Sequence, residues 1–153
     1  DTFKLDRMAK LLDAIGNPQA SVRVAHVAGT VGKGSTVAMV ASILKHADYT
    51  VGTYTSPHLT DIRERIAING EMIDKSSFVS LVASVGKAAE KVAPDATYFE
   101  LLTAIGLQHF AEQARLLVLE QRGVPLDRVA VPLGAHGVGE LLAQDDAALA
   151  GLR

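Results

Sequence analysis

The chain has 153 residues, 48% of them apolar, and its 15 basic residues against 17 acidic ones leave a formal charge of −2. That is enough chain for one domain with a core, and without a basic run it offers no surface for nucleic acid or an anionic membrane, so the expected partners are small molecules. Having no cysteine excludes disulfides and thiolate metal sites, and no apolar run reaches the roughly 18 to 20 residues of a membrane span or the core of a signal peptide, so the expected location is cytoplasmic.

Leu5, Met8, Leu12 and Ile15 recur at helical spacing, and Gly16-Asn17-Pro18 supplies a stop after them. "VRVAHVA" (22–28) is short, apolar and rich in valine, which predicts a buried parallel strand running straight into a glycine loop. Val37, Val40, Ala41 and Leu44 then mark a helix to about residue 47, and "YTVGTYT" (49–55) reads as a second strand. "SPHLTDIRER" (56–65) is polar and irregular, whereas "IAINGEMI" (66–73) predicts a small hairpin turning at Asn69-Gly70. Asp74 is placed to cap a helix whose face is Phe78, Leu81, Val82, Val85 and Val92. Thr97 and Glu100 have capping-box spacing ahead of a helix over 98–113, which leads into the strand "RLLVLE" (115–120). A short strand around 128–133 and a helix from about 138 complete the reading. Alternating strands and helices imply an α/β fold, a mainly parallel sheet with helices on both faces, and right-handed crossovers gather the strand C-terminal ends and any ligand at one edge.

Strand, glycine loop, helix is the context in which backbone N–H groups turn inward around an anion. In "HVAGTVGKGST" (26–36), Gly29, Gly32 and Gly34 permit positive φ, Lys33 would reach the β- and γ-phosphates, and Ser35 or Thr36 could give a hydroxyl to phosphate or Mg²⁺. The strict pattern G-x-x-x-x-G-K-[ST] fails, because Val27 holds the first glycine position and Gly34 separates the lysine from the hydroxyl. The plainer reading is a glycine-rich strand-to-helix turn with a lysine in solvent; both readings make Lys33 an exposed loop residue.

The other candidate residues each carry a plain alternative too. Ser56 offers a neutral oxygen suited to Mg²⁺, Pro57 stiffens the turn and His58 can hydrogen-bond, yet a turn before a hairpin uses the same Ser-Pro pair. Glu120 ends an apolar strand, where a carboxylate must meet water, a base or a metal. Tyr98, Phe99 and Glu100 fit a capped helix start with two core aromatics. Glu64 and Arg65 suit a local ion pair, His26 a core or near-core place, and His46, His109 and His136 have no metal-site spacing.

"HVAGTVGKGST" resembles the ATP loop of the folylpolyglutamate synthase and dihydrofolate synthase family of the Mur-ligase superfamily, whose usual run is HVAGTNGKGST; Val31 stands at the asparagine. The resemblance continues through "YTVGTYTSPHLTDIRERIAINGEMI" (49–73) and "TYFELLTAIGLQHFAEQ" (97–113) to "VLE" (118–120), roughly residues 3 to 120. It implies an incomplete P-loop NTPase-like Mur-ligase central domain over 1–120, with 121–153 unassigned. It further implies ATP at Gly29, Thr30, Val31, Gly32, Lys33, Gly34, Ser35 and Thr36, and Mg²⁺ at Ser56 and Glu120, with Lys33 and Glu120 catalytic. Folate or dihydropteroate would lie against Ser56, Pro57, His58 and Leu59, with Tyr98, Phe99 and Glu100 as a wall, and L-glutamate would be the third substrate. The implied reaction passes the γ-phosphoryl group to the substrate carboxylate, giving an acyl phosphate that the glutamate amine captures.

Beyond Glu120 the resemblance stops. Where the family has GGRLDATN this chain has "QRGVPLDRVA", keeping only Leu126-Asp127, and the family's further metal-ligand histidine, carbamylated lysine and C-terminal domain have no counterpart. The chain therefore reads as an N-terminal portion, not expected to turn over alone. A peptidoglycan-precursor ligase is disfavoured, since only 28 residues precede Gly29 and TSPHL belongs to the folate branch. A P-loop kinase or GTPase is disfavoured by Gly34 and by the lack of an N-K-x-D motif. A non-catalytic nucleotide-binding fragment shares every N-terminal feature.

Overall fold

The computed structural model describes residues 2–29, 31–114 and 116–122. In chain order it contains α1 (Thr2–Ala14), a 3₁₀ turn (Pro18–Ser21), β1 (Arg23–Gly29), α2 (Lys33–His46), β2 (Val51–Tyr54), a second 3₁₀ turn (Ile62–Arg65), β3 (Ile66–Ile68), β4 (Glu71–Met72), α3 (Lys75–Val92), α4 (Tyr98–Gln113) and β5 (Leu116–Arg122). The strand expected around 128–133 and the helix from about 138 lie outside the described residues. No helix among the described residues is long and apolar enough to cross a membrane.

The sheet runs in the order β1-β5-β2-β3-β4, with β1, β5 and β2 parallel, β3 antiparallel to β2 and β4 antiparallel to β3. Side chains alternate across it, so each face builds its own core. Val27, Val51 and Val118 pack with Val37 of α2, joined by Ala25, Val40, Ala41 and Leu44. On the opposite face Tyr54, Ile66 and Leu117 pack with Leu11 and Leu12 of α1, Leu81 and Val85 of α3, and Leu102, Ile105 and Phe110 of α4. Helices therefore cover both faces, as strand and helix alternation implies. At about 1.5–3 kcal/mol for each fully buried aliphatic or aromatic side chain, these two clusters supply the main favourable term of folding.

The local signals behave as their chemistry requires. Asp74 accepts the Ser77 N–H and starts α3, and Thr97 and Glu100 form a full capping box on α4. The β3–β4 turn places Asn69 and Gly70 at φ +52° and +87°, and the Asn69 side chain also accepts the Val51 N–H. The buried face of α3 is narrower than the apolar pattern suggests. Leu81, Val85 and Ala89 are buried with Phe78 and Ala88 beside them, whereas Val82 and Val92 are 43% and 39% exposed. Val82 stands about 100° around the helix from Leu81, beyond the stripe that α1 and α4 cover. His109 is enclosed in the core with no partner for Nδ1 among the described residues, and burial pushes its titration below the usual imidazole range, so it is neutral at pH 7.

β2 and α4 meet closely because Gly52 has no side chain. A Cβ at Gly52 would lie 2.5 Å from Cδ1 of Phe110, whose ring is 1% exposed and has nowhere to retreat. Gly52→Ala is expected to destabilise the fold by about 1–3 kcal/mol, as overpacking in a closed core does, read as a lower urea midpoint at unchanged slope.

Candidate active site

Three strands end at one edge, and their register sets what meets there. β2 ends at Tyr54 opposite Leu119, so the segment from Thr55 leaves the sheet beside the backbone of Glu120. β1 pairs Val27 with Glu120 and runs on to Gly29 opposite Arg122, so β5 continues past the expected end at Glu120 and the glycine loop leaves further along the same edge. Thr30 lies outside the described residues, and Glu120 is placed by its backbone alone.

Gly32 is the N-cap of α2 at φ +79°, ψ 2°, and a Cβ there would meet nothing within 4 Å. Glycine is needed at this point for its left-handed backbone and not for space. Gly34 is different from the expectation: it lies in the first turn of α2 and is absent from the positive-φ set, which in this loop comprises Gly29 and Gly32. The first bond inside the helix is Thr36 N–H to the Gly32 carbonyl at 3.0 Å, and no side chain caps the end. The amides of Gly34 and Ser35 thus precede any helical carbonyl that could accept them, at the positive end of the helix dipole. Thr36 donates its hydroxyl to the same Gly32 carbonyl at 2.9 Å, while Ser35 and Val31 are exposed.

Lys33 corrects a second expectation. It is 8% exposed rather than a solvent lysine, because it is the first residue of α2 and its aliphatic stem is enclosed. Beside it, a cleft of about 510 Å³ opens between α2 and β2, bordered by Gly34, Val37, Thr53 and Thr55.

The 56–65 segment is held by side-chain bonds instead of regular pairing. Glu64 accepts the N–H groups of Leu59 (2.7 Å), Thr60 (3.0 Å) and Asp61 (2.8 Å) and the Thr60 hydroxyl (2.6 Å). The Leu59 amide, then the Thr60 hydroxyl and the remaining amides, hold the Glu64 carboxyl down at about 2. Asp61 caps the second 3₁₀ turn by accepting the Arg63 N–H, and the Arg63 guanidinium lowers it likewise to about 2. Arg65 donates from Nε to Nδ1 of His58 at 2.9 Å, and its carbonyl accepts the Thr55 N–H at 3.1 Å. Glu64 and Arg65 therefore do not serve each other as the expected ion pair; each reaches back to a different part of the loop. Ser56-Pro57 is a cis peptide, and Leu59 stands 90% exposed.

At the start of α4, Tyr98 and Phe99 are 58% and 56% exposed, which removes the reading of them as core aromatics. Glu100 is committed to structure: it accepts the Thr97 N–H (2.7 Å) and hydroxyl (2.8 Å) and a forked ion pair from Arg7 of α1. Burial pushes its carboxyl up, but the Thr97 amide and Arg7 outweigh that and leave it below its ordinary value. Arg7 also bonds Asp95, pinning the α3–α4 connection. Tyr54 ties this region to the loop: its hydroxyl lies 3.3 Å from that of Thr103, and burial pushes its phenol up against the opposing pull of the Thr103 bond and the Arg65 charge. Arg7 and Arg65 are the residues that sequence reasoning missed in this role; Arg7 has no local signal, since its partner lies 93 positions away.

Glu64→Gln removes the charge that gathers the loop amides. Hydrogen exchange at Leu59, Thr60 and Asp61 is expected to accelerate about ten-fold or more, as loss of a charged acceptor implies, with little change at core amides. In the unmodified chain the same protection, corrected for intrinsic rates, is full above the usual glutamate pKa of 4.5 and is lost as pH falls toward about 2, because the folded carboxylate is the form that is stabilised.

No protein-family model matches the chain. It is 42% identical over 112 residues to the dihydrofolate synthase/folylpolyglutamate synthase of Bacillus subtilis, a match that covers 71% of this chain and 26% of that one. A folylpolyglutamate synthase of Mycobacterium tuberculosis, solved with ADP and AMPPCP, superposes with a TM-score of 0.72 at 32% identity over 76% of this chain and 28% of its own. An FPGS-AMPPCP-folate complex superposes at 0.71 with 39% identity, over 74% and 29%. The chain spans less than a third of the length of these relatives, and the match falls on their N-terminal portion. By these matches, which run through its glycine loop and its 55–59 loop, the chain belongs to the folylpolyglutamate and dihydrofolate synthase family.

Proposed function

We propose that the chain is the nucleotide- and folate-binding part of an ATP-dependent ligase that adds L-glutamate to folate or dihydropteroate. The observation that carries this reading is the juxtaposition, at one sheet edge, of an uncapped helix N-terminus bearing Lys33 and a clamped loop bearing Ser56 and His58. Gly29, Thr30, Val31, Gly32, Gly34, Ser35 and Thr36 form the phosphate cradle, and Lys33 neutralises charge that develops on the transferred phosphoryl group. Ser56, just past β2, and Glu120, two residues before the end of the neighbouring β5, are hard oxygen donors that fit Mg²⁺, which when bound would neutralise phosphate charge there. Thr36 keeps hydroxyl lone pairs for the same purpose, since its bond to Gly32 uses only its hydrogen.

The flat ring system of a pterin suits the exposed faces of Tyr98 and Phe99, and the 55–59 loop with Pro57, His58 and Leu59 would lie against it. Glu100 belongs to this wall as its frame, through Thr97 and Arg7. The substrate carboxylate attacks the γ-phosphorus, ADP leaves, and the amine of L-glutamate displaces phosphate from the resulting acyl phosphate to form the amide. ATP and folates as co-substrates agree with a cytoplasmic enzyme.

Calorimetry of the 153-residue chain with AMPPCP and Mg²⁺ tests the phosphate role. Because Lys33 is buried, Lys33→Met is the informative change: it keeps the stem and removes the charge. It is expected to weaken nucleotide binding about 10- to 100-fold, the value of a charged hydrogen bond, with a melting temperature within a few degrees of the parent. Equal affinity in the folded variant would remove Lys33 from the site. Incubation of the chain with folate or dihydropteroate, L-glutamate, ATP and Mg²⁺, read by mass spectrometry against the Lys33→Met control, is expected to give no extended product, since the chain is only part of the ligase. Product above that control would show that these residues complete the site on their own.

A further inference from the structure

The bond between Arg65 and His58 has a chemical consequence beyond holding a loop. A guanidinium has five N–H donors and no acceptor, so the imidazole nitrogen 2.9 Å from Arg65 Nε must present its lone pair. The ring proton is then on Nε2. His58 is half-buried and sits between two residues of the proposed substrate loop, Pro57 and Leu59. Arg65 is fixed independently of His58: it ends a 3₁₀ turn closed by the Asp61–Glu64 capping box, and its own carbonyl receives the N–H of Thr55. The other charged group near the ring is Asp61, itself engaged by Arg63; Tyr54, within range of Arg65, is an uncharged phenol that burial pushes up.

We propose that Arg65 is a positioning residue that locks His58 as a hydrogen-bond donor at Nε2, and that this donor selects a substrate carrying an acceptor, a carbonyl oxygen or an unprotonated ring nitrogen, at that point. The proposal rests on the folate reading for the identity of the substrate, since a pterin ring offers acceptors of both kinds, but the locked tautomer stands on the Arg65 geometry alone. A proton on Nδ1 would set N–H against N–H, so with Arg65 in place the ring presents its donor at Nε2, in one fixed direction.

Two measurements on the full 153-residue chain test it. In ¹⁵N-labelled protein a scalar coupling across the hydrogen bond, between Arg65 Nε and His58 Nδ1, is expected; its absence, or a proton found on Nδ1, overturns the proposal. Folate affinity is then compared across variants by calorimetry. Arg65→Met and His58→Asn, which carries its amide at the Nδ1 position, are expected to lose about ten-fold, the order of one well-placed hydrogen bond, with AMPPCP affinity unchanged. His58→Gln, which carries its amide nearer the Nε2 position, is expected to stay within about three-fold of the parent. Folate binding by Arg65→Met equal to the parent overturns the proposal, and so does equal loss in His58→Gln and His58→Asn should Arg65→Met fail to fold. If the parent binds AMPPCP but not folate, the substrate reading falls and the coupling alone decides the Arg65–His58 unit.

Discussion

β5 enters the sheet between β1 and β2, although the hairpin, α3 and α4 separate it from β2 along the chain. Everything at the candidate site depends on that insertion. Parallel pairing on both sides of β5 fixes Val27 opposite Glu120 and Tyr54 opposite Leu119, so the last residues of β5, with Glu120 among them, run between the end of β2 that carries the 55–59 loop and the part of β1 that leads to the glycine loop. The insertion is held by apolar packing on both faces: Val118 against α2 and Leu117 against the α1, α3 and α4 layer are each fully buried. A slip of one residue would exchange those faces and put the wrong side chains into both cores, which is why the register is well specified.

A second theme is the use of carboxylates as clamps. Glu64 gathers three amides and a hydroxyl, and Glu100 gathers an amide, a hydroxyl and a guanidinium. Each carboxylate has acceptor capacity for about four such bonds, so one side chain can order a turn that has no ladder of its own. The clamped turns then carry side chains that the core does not claim: His58 and Leu59 in one case, Tyr98 and Phe99 in the other. Leu59, Tyr98 and Phe99 stand exposed because structure is placed behind them, which is the preformed surface that the proposed folate site would need.

Periodicity made most of this architecture legible. Val37, Val40, Ala41 and Leu44 declare the face of α2, and Asp74 and Thr97 declare two helix starts, because each signal lies within a few residues of its partner. The failures occur where the deciding partner is remote. Val82 and Val92 continue the apolar pattern of α3, but how wide a stripe is covered depends on α1 and α4. Lys33 looks like a solvent residue until α2 is seen to start there and enclose its stem. Glu64 and Arg65 are adjacent and opposite in charge, yet the loop folded back over them presents better partners to each. Of the site itself, the glycine loop and TSPHL stand out in the sequence, whereas the clamp from Arg7 to Glu100 and the tautomer set by Arg65 arise only from the fold.

Central to the proposed function is that three separate strands contribute to a single metal–nucleotide site. Manganese with AMPPCP in place of magnesium tests it directly, through paramagnetic broadening of backbone amide signals in ¹⁵N-labelled chain. The account predicts that broadening appears together in residues 31–36, 55–59 and 119–121 at equimolar Mn²⁺ and nucleotide, with amides of α3 unaffected. Broadening confined to the glycine loop, or spread over the surface without preference for the 55–59 and 119–121 segments, would contradict it.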